Sequence, residues 1–376
     1  MVTGKCLIDD FEVEISYGCD IEELQQQWQL IQEGQSLPFF LTWSWISCWL
    51  ETYKPDLVIV SAVYENQVVA IGLFTRSIQP RHGFIKSRQY RLHQMGDSLL
   101  DQIWMEYNDF ICIDKYRVAA VNACLRALQC SEEKWDEIIL SMISTSRAGD
   151  IQKVISGSRI LLTNPCYSKN LDSIKGENRQ YLATLNANTR YQINRSVRLY
   201  EQLHGEIKYK LAEGVDEALA LFHEAGKYHV LRWQDSGFNN REFILFHENL
   251  IRQSVENDAV NLMKITSGET IIAILYFHLV GRDVYFYLQG INYESDPKLK
   301  PGLVAHALAT QYYLDKGMRK YDYMGGYSQY KCQLSTQAED LVTLCIQKSS
   351  WKFSVENAVR KIKQIFTGAT STAAAD

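Results

Sequence analysis

Hydrophobic and polar positions along the chain change period several times, and the changes mark elements. Residues 57–77, LVIVSAVYENQVVAIGLFTRS, read as strand, turn, strand, with β-branched runs on either side of Glu65-Asn66. Residues 260–280, VNLMKITSGETIIAILYFHLV, repeat that shape with Ser267-Gly268 at the turn. Each hairpin leads into another extended segment ending in glycine, YRLHQMG at 90–96 and DVYFYLQG at 283–290. A loop, a helix and a late strand follow in both halves: helices over 115–129 and 302–317, strands over 135–143 and 320–326. Helical spacing also leads each half, over 21–33 and 41–53 in the first and over 178–205 and 215–229 in the second. The pattern predicts an α/β (α+β) protein of two tandem modules, each a mixed, mostly antiparallel sheet flanked by helices. The first module is placed at 1–165 and the second at 175–350, joined through NPCYSKNLDSIKGEN near 165–180, which is polar and carries Pro and Gly. The small, polar end, 366–376, reads as a disordered tail.

Composition narrows the class. The 376 residues suffice for two ordinary domains, and 46% hydrophobic with 22% charged residues is the balance of a soluble globular protein. A net charge of −5 supplies no bulk cationic field, so DNA is not an expected partner. The 22 Tyr and 8 Trp suit either packing or a large ligand cleft. Nine cysteines form no CxxC pair, so no zinc or other metal site is expected, and they read as free thiols in a reducing cytoplasm. The start MVTGKCLIDD has acids where a signal peptide needs an apolar run, and the longest apolar run, IIAILYFHLV, is too short to span a bilayer. No transmembrane segment and a cytoplasmic location are the expectation. Oligomeric state stays open.

Four stretches carry candidate chemistry. In KLKPGLVAHALATQYYLDKG, 298–317, Pro301 and Gly302 open a helix whose first amides are free, beside Lys298 and Lys300. This is either a phosphate-binding helix start or a plain proline-started helix with two solvated lysines. Arg190, Arg195 and Arg198 lie on one predicted helix, with Arg195 and Arg198 sharing a face, either as a solvated basic face or as a clamp for an anionic acceptor. FHEAGKYHVLRWQDSG, 222–237, concentrates His229, Arg232 and Trp233, with histidine suited to acid–base work as well as to a structural role. YDYMGGYSQYK, 321–331, packs four tyrosines, Asp322, two glycines and Lys331 at the end of the last predicted strand. By contrast Trp45 and Trp49, four apart, form a stripe that reads as core.

Taken in order, TWSWISCWLETY (42–53), TRYQINRSVRLYEQLHG (189–205), the hairpin and strand of 263–290, KPGLVAHALATQYYLDKG (300–317) and YDYMGGYSQYK resemble the CelD/BcsL-type proteins of the Gcn5-related acetyltransferase (GNAT) superfamily, with their BioF2-like acetyltransferase domain. The resemblance covers most of residues 25–345. It implies two tandem GNAT-like modules, as in the FemAB peptidoglycan aminoacyltransferases, and an N-acyltransferase moving an acetyl or other acyl group from acyl-CoA to an amine of a small molecule, sugar or amino-acid-derived acceptor. The first module is expected to lack the cofactor. The donor would lie along the backbone of Leu288, Gln289 and Gly290 and at the helix start of Lys300, Gly302, Leu303, Val304, Ala305 and His306. Tyr287, Tyr327 and Tyr330 are candidate acids for the departing thiolate, and Asp322 a candidate base or positioning group. Arg190, Arg195, Arg198, His229, Arg232, Trp233 and Lys331 are candidate acceptor contacts. The superfamily's usual Gln/Arg-x-x-Gly-x-Gly/Ala loop is here Lys300-Pro301-Gly302-Leu303-Val304-Ala305, with one glycine. That departure keeps charged tRNA open as an alternative donor, and a non-catalytic binding protein of a polysaccharide or natural-product pathway as an alternative role.

A bulky residue at Gly302 is expected to abolish acyl-CoA binding without unfolding the chain. Calorimetric titration of acetyl-CoA into Gly302→Trp checks this, and unchanged binding would remove the helix start from the donor site.

Overall fold

A computed structural model describes residues 2–18, 20–81, 85–131, 134–177, 180–350 and 353. The expected tail at 366–376 lies outside the described residues. Among the described residues, fourteen strands form one mixed sheet. They are β1 (Val2–Ile8), β2 (Phe11–Tyr17), β3 (Leu57–Tyr64), β4 (Gln67–Arg81), β5 (Ile85–Leu92), β6 (Ile111–Cys112), β7 (Glu137–Ser144), β8 (Ser158–Asn170), β9 (Ile207–Leu211), β10 (Val260–Ser267), β11 (Thr270–Val280), β12 (Asp283–Ile291), β13 (Lys320–Gly325) and β14 (Gln337–Gln347). The helices are α1 (Ile21–Gln32), α2 (Trp43–Tyr53), α3 (Arg117–Cys130), α4 (Thr145–Gln152), α5 (Leu171–Gly176), α6 (Ala187–His204), α7 (Gly214–Arg232), α8 (Arg241–Ser254), α9 (Pro301–Asp315) and α10 (Gln329–Leu334).

The order across the sheet is β1-β2-β3-β4-β5-β7-β14-β8-β13-β12-β11-β10-β9, with β6 beside β4. Two parallel pairs, β5 with β7 and β12 with β13, sit at matching places in the halves, and the other pairings are antiparallel. This is the mixed, mostly antiparallel α/β architecture that the hydrophobic pattern predicts. The β3–β4 hairpin turns on Glu65 and Asn66, both with positive φ (49° and 63°), the geometry whose twist matches the flanking strands. In the second hairpin β10 extends through Ser267, so the turn falls on Gly268 and Glu269 rather than on Ser267-Gly268. Residues 165–180 are not an open linker. They hold the end of β8 and all of α5, and the last strand of the chain, β14, lies between β7 and β8. The sheet therefore runs unbroken from one half to the other.

One core serves both halves on one face of the sheet. Trp28 of α1 and Trp45 and Trp49 of α2 pack with Phe222 of α7 and Phe246 and Leu250 of α8. Trp45 meets Phe246 edge-on at 4.7 Å, and Phe39 stacks on His278 of β11 at 4.5 Å. On the other face α9 lies against α6 and the sheet, with Val304, Ala305, Ala309 and Tyr313 buried. That two-sided burial explains why its sequence is apolar nearly all round. Pro301 at its first turn forfeits no helical hydrogen bond.

Gly290 shows how tightly α7 rides on β12: a Cβ there would lie 2.5 Å from Ala225 Cα. Gly290→Ala is expected to destabilise the fold by about 1–3 kcal/mol through backbone displacement. Chemical denaturation measures it, and an unchanged midpoint would show that α7 can give way.

Candidate active site

Strand pairing creates the site. β12 and β13 are bonded at Asp283–Lys320, Val284–Tyr321 and Tyr285–Asp322 and then part. Beyond that point β12 stays with β11 to Ile291, while β13 stays with β8. A bulge sharpens the divergence: Phe277 faces Phe286 and Tyr276 faces Leu288, so Tyr287 is an extra residue. A cavity of about 680 Å³ opens where the strands separate. Its walls are Phe286, Tyr287, Tyr323, Met324 and Gly325 of the two strands, the Gln94–Glu106 loop of the first half, and the end of α7 with His229, Trp233 and Asp235.

Glu106 reaches into this cavity from the first half. Its carboxylate accepts the backbone N–H of Gly325 at 2.8 and 3.0 Å. Burial, reinforced by the charge of Asp322, pushes its pKa up to about 7. Lys331, on α10, donates to the carbonyls of Met324 and Gly325, and burial lowers its pKa. The next residue, Tyr107, donates its hydroxyl to Asp322 Oδ2 at 2.5 Å and lies 2.9 Å from Cys166 Sγ. Asp322 is completely buried, pairs with Lys320 Nζ at 2.7 Å and accepts the amide of Met324. Burial works against the charge of Lys320, but Asp322 outweighs it and the lysine's pKa rises. Two carboxylates, two lysines, a tyrosine and a thiol thus gather where the halves meet.

The residues singled out from sequence fall into three groups. Tyr287, His229, Trp233 and Lys331 line the cavity. Tyr287 donates to the carbonyl of Ile103 and contacts His247 Nε2 at 3.1 Å, and burial keeps it a phenol. Burial lowers His229 to about 4, so it is neutral. Asp322 lies behind the cavity wall rather than on it. On the opposite face, His306 is buried between Tyr321 and Gln289, with Tyr330 stacked on its ring at 5.0 Å. Leu288, Leu303, Val304 and Ala305 are core, the Lys300 amide donates to Ser196 Oγ, and Gly302 has open space where a Cβ would go. The third group does not line the cavity. Arg190 donates to the carbonyls of Ala183 and Leu185, Arg195 lies over Tyr191, and Arg198 is exposed. Arg232 sits over Trp233 and Tyr293 at the surface, and Tyr327 is 77% exposed.

Glu106, Tyr107 and Cys166 were not singled out from sequence. The available signal was an acid set among Trp, Met and Tyr in IWMEYNDF, a segment with no period of either kind. Among the described residues there is no group of three His, Cys, Asp or Glu placed to hold a metal, and no helix long and apolar enough to cross a membrane.

Residues 187–332, which include α6, β12, α9 and β13, match the family described as acetyltransferase (GNAT) domain. FemX has a similar fold, with a TM-score of 0.58 at 11% identity over 89% of this chain and 97% of that one. So does L-PGS from Bacillus licheniformis, at 0.54 and 12% over 91% and 96%. A conserved protein of unknown function from Bacteroides thetaiotaomicron matches at 0.54 and 11% over 89% and 100%. No curated protein sequence matches the chain. The fold is GNAT-like. The domain match supports acyltransferase chemistry in the broad sense.

The pKa of Glu106 carries a stability consequence. Its folded value, about 7, lies above the ordinary 4.5. The folded chain therefore keeps a proton that the unfolded chain has lost, and stability falls as pH rises from 4.5 through 7. Glu106→Gln should remove that loss. Its melting temperature should match wild type near pH 4.5 and exceed it at pH 8, by an amount corresponding to roughly 3 kcal/mol. A pH-independent difference between the two would contradict the assignment.

Proposed function

We propose that the chain is an acyltransferase of the GNAT type, moving an acyl group from acyl-CoA to an amine, with Glu106 as the base. The observation that carries this is the Glu106 carboxylate itself: buried, at the opening between β12 and β13, with a pKa of about 7. A general base works best when its pKa lies near the working pH.

The residues present fit an acyl-CoA donor. Beyond Tyr285 the β12 edge has no strand partner on the β13 side, which suits an arm bearing amide groups. The start of α9 comes after the loop of residues 292–300, with room at Gly302 and with Lys298 and Lys300 beside it. When bound, the thioester supplies an electrophilic carbonyl: the amine nitrogen bonds to its carbon, the carbon–sulfur bond breaks, and the sulfur leaves as thiol. Glu106 takes the proton that the nitrogen loses, and one proton returned to sulfur closes the balance. Lys331 holds the carbonyls of Met324 and Gly325, so that Gly325 presents its N–H to Glu106. Tyr107, tied to Asp322, fixes the backbone beside Glu106.

The division of labour follows the two halves. The start of α3, the first half's counterpart of α9, is filled by the chain itself. Arg117 there bonds Asp109, Asp114 and the carbonyls of Phe110 and Cys112. This favours residues 1–165 as a module without donor and 175–350 as the donor-binding module. The CelD/BcsL-type kinship and a cytoplasmic location belong to the same reading.

Incubation with labelled acetyl-CoA and a panel of amines tests the function, scored by amide product and free thiol. Activity is expected to rise with pH through about 7 as Glu106 loses its proton. Glu106→Gln should lower kcat about 10²–10⁴-fold and erase that rise. Product formed only when charged tRNA replaces acyl-CoA would instead return the Fem-like donor.

A further inference from the structure

The acceptor end of the cavity has a chemistry of its own, apart from the carboxylate that takes the proton. Two tryptophans stand on its walls with their rings in solvent, Trp104 at 42% and Trp233 at 57% exposure. Trp104 is held there against its own preference. Its backbone is left-handed (φ 40°), and its ring is braced edge-on against Phe243 at 5.8 Å. A bulky residue kept in that conformation, with an apolar face unburied, is a combination found where a ligand supplies the missing contact.

The same cavity is lined by carboxamides, Gln94 and Asn164. Gln94 Oε1 is buried and has no hydrogen-bond partner among the described residues. An orphan acceptor of this kind costs free energy until a donor reaches it. The amide of Asn164 is spent on Met142 Sδ at 3.2 Å, a weak acceptor that a better one would displace. Gln234 and Asp235 stand at the Trp233 end. Flat aromatic faces serve the C–H faces of a ring, and carboxamides pair with groups that both donate and accept, which hydroxyls do. A plain alkylamine lacks the hydroxyls that would satisfy both carboxamides.

We propose that the acceptor is an amino sugar, its ring laid against Trp104 and Trp233, its hydroxyls read by Gln94 and Asn164, and its amine directed to Glu106. This rests on the acyltransferase reading, which it narrows to one substrate class. The transfer is the one already balanced: the sugar nitrogen gains the acyl carbon and gives its proton to Glu106.

The test compares glucosamine with cyclohexylamine, a six-membered ring amine without hydroxyls, using acetyl-CoA and the full chain. Glucosamine should have the higher kcat/KM by at least about tenfold, because a site built for hydroxyls rejects the analogue lacking them. Gln94→Ala should lower kcat/KM for glucosamine more than for cyclohexylamine, whereas Trp233→Ala, which removes a face that either ring can use, should lower it for both. Binding is read separately, by saturation-transfer NMR of glucosamine with the chain, and should weaken in both variants. Cyclohexylamine equal to or better than glucosamine would overturn the amino-sugar assignment while leaving acyl transfer standing. Glucosamine bound with Trp233 and Gln94 both dispensable would overturn it as well. Bound glucosamine sensitive to both residues, without transfer to any amine, would keep the sugar site and sink the acyltransferase reading.

Discussion

The bond between the Gly325 N–H and the Glu106 carboxylate joins the two halves of the chain at their chemical centre. Gly325 ends β13, and Glu106 lies on a first-half loop laid across it. A Cβ at Gly325 would lie 2.8 Å from Glu106 Oε1, so only glycine lets the carboxylate come so close without displacement. Neither partner has this meaning alone. An exposed glutamate would titrate near 4.5 and be a poor base, and an unpaired amide at a strand end would simply bind water. Apposition removes the carboxylate from water and sets it beside Asp322, and both effects drive its pKa toward neutrality.

Holding that loop in place costs backbone strain. His93, Trp104 and Tyr107 on the loop, Met142 on β7 and Met324 on β13 all have positive φ without being glycine. Left-handed backbone at such residues costs about 1–3 kcal/mol each where the fold imposes it. Trp104, Met142 and Met324 line the cavity, and His93 and Tyr107 adjoin residues that do. The surrounding bonds show how the strain is sustained: Tyr107 to Asp322, Asn108 to the carbonyls of Leu92 and Met142 through its side-chain and backbone N–H groups, and His93 to Asn108. Strain gathered at one cavity and secured by buried hydrogen bonds is the pattern of a preorganised site rather than of a loose surface loop.

Much of the architecture was legible in the sequence, for local reasons. Glu65-Asn66 and Gly268 turn the two hairpins, Pro301 starts α9, and the 3.6-residue period of α2 and α7 marks their buried faces. What stayed hidden is nonlocal. Nothing in Gln337–Gln347 says that this strand lies between β7 and β8, because its pairing partners lie at residues 137–168, far earlier in the chain. The three arginines of α6 look like an anion clamp in one dimension, yet in three they attach to their own helix start, to Tyr191 and to solvent. Glu106 was invisible because its environment comes from residues more than two hundred positions away, in a segment without periodicity.

The duplicated topology allows the halves to diverge without losing the common sheet. Both contain a parallel strand pair, β5 with β7 and β12 with β13, and the second pair splays beyond Tyr285. In the first half the start of α3 carries Arg117, whose charge is met by Asp109 and Asp114. The first half contributes the Gln94–Glu106 loop to the cavity at the opening between β12 and β13. Because the same aromatic core, Trp45 against Phe246 and Phe39 against His278, also crosses between the halves, the loop is carried on a rigid support rather than on a hinge. A carboxylate with a neutral pKa needs that rigidity, since a small outward movement would rehydrate it and return it to an ordinary acid.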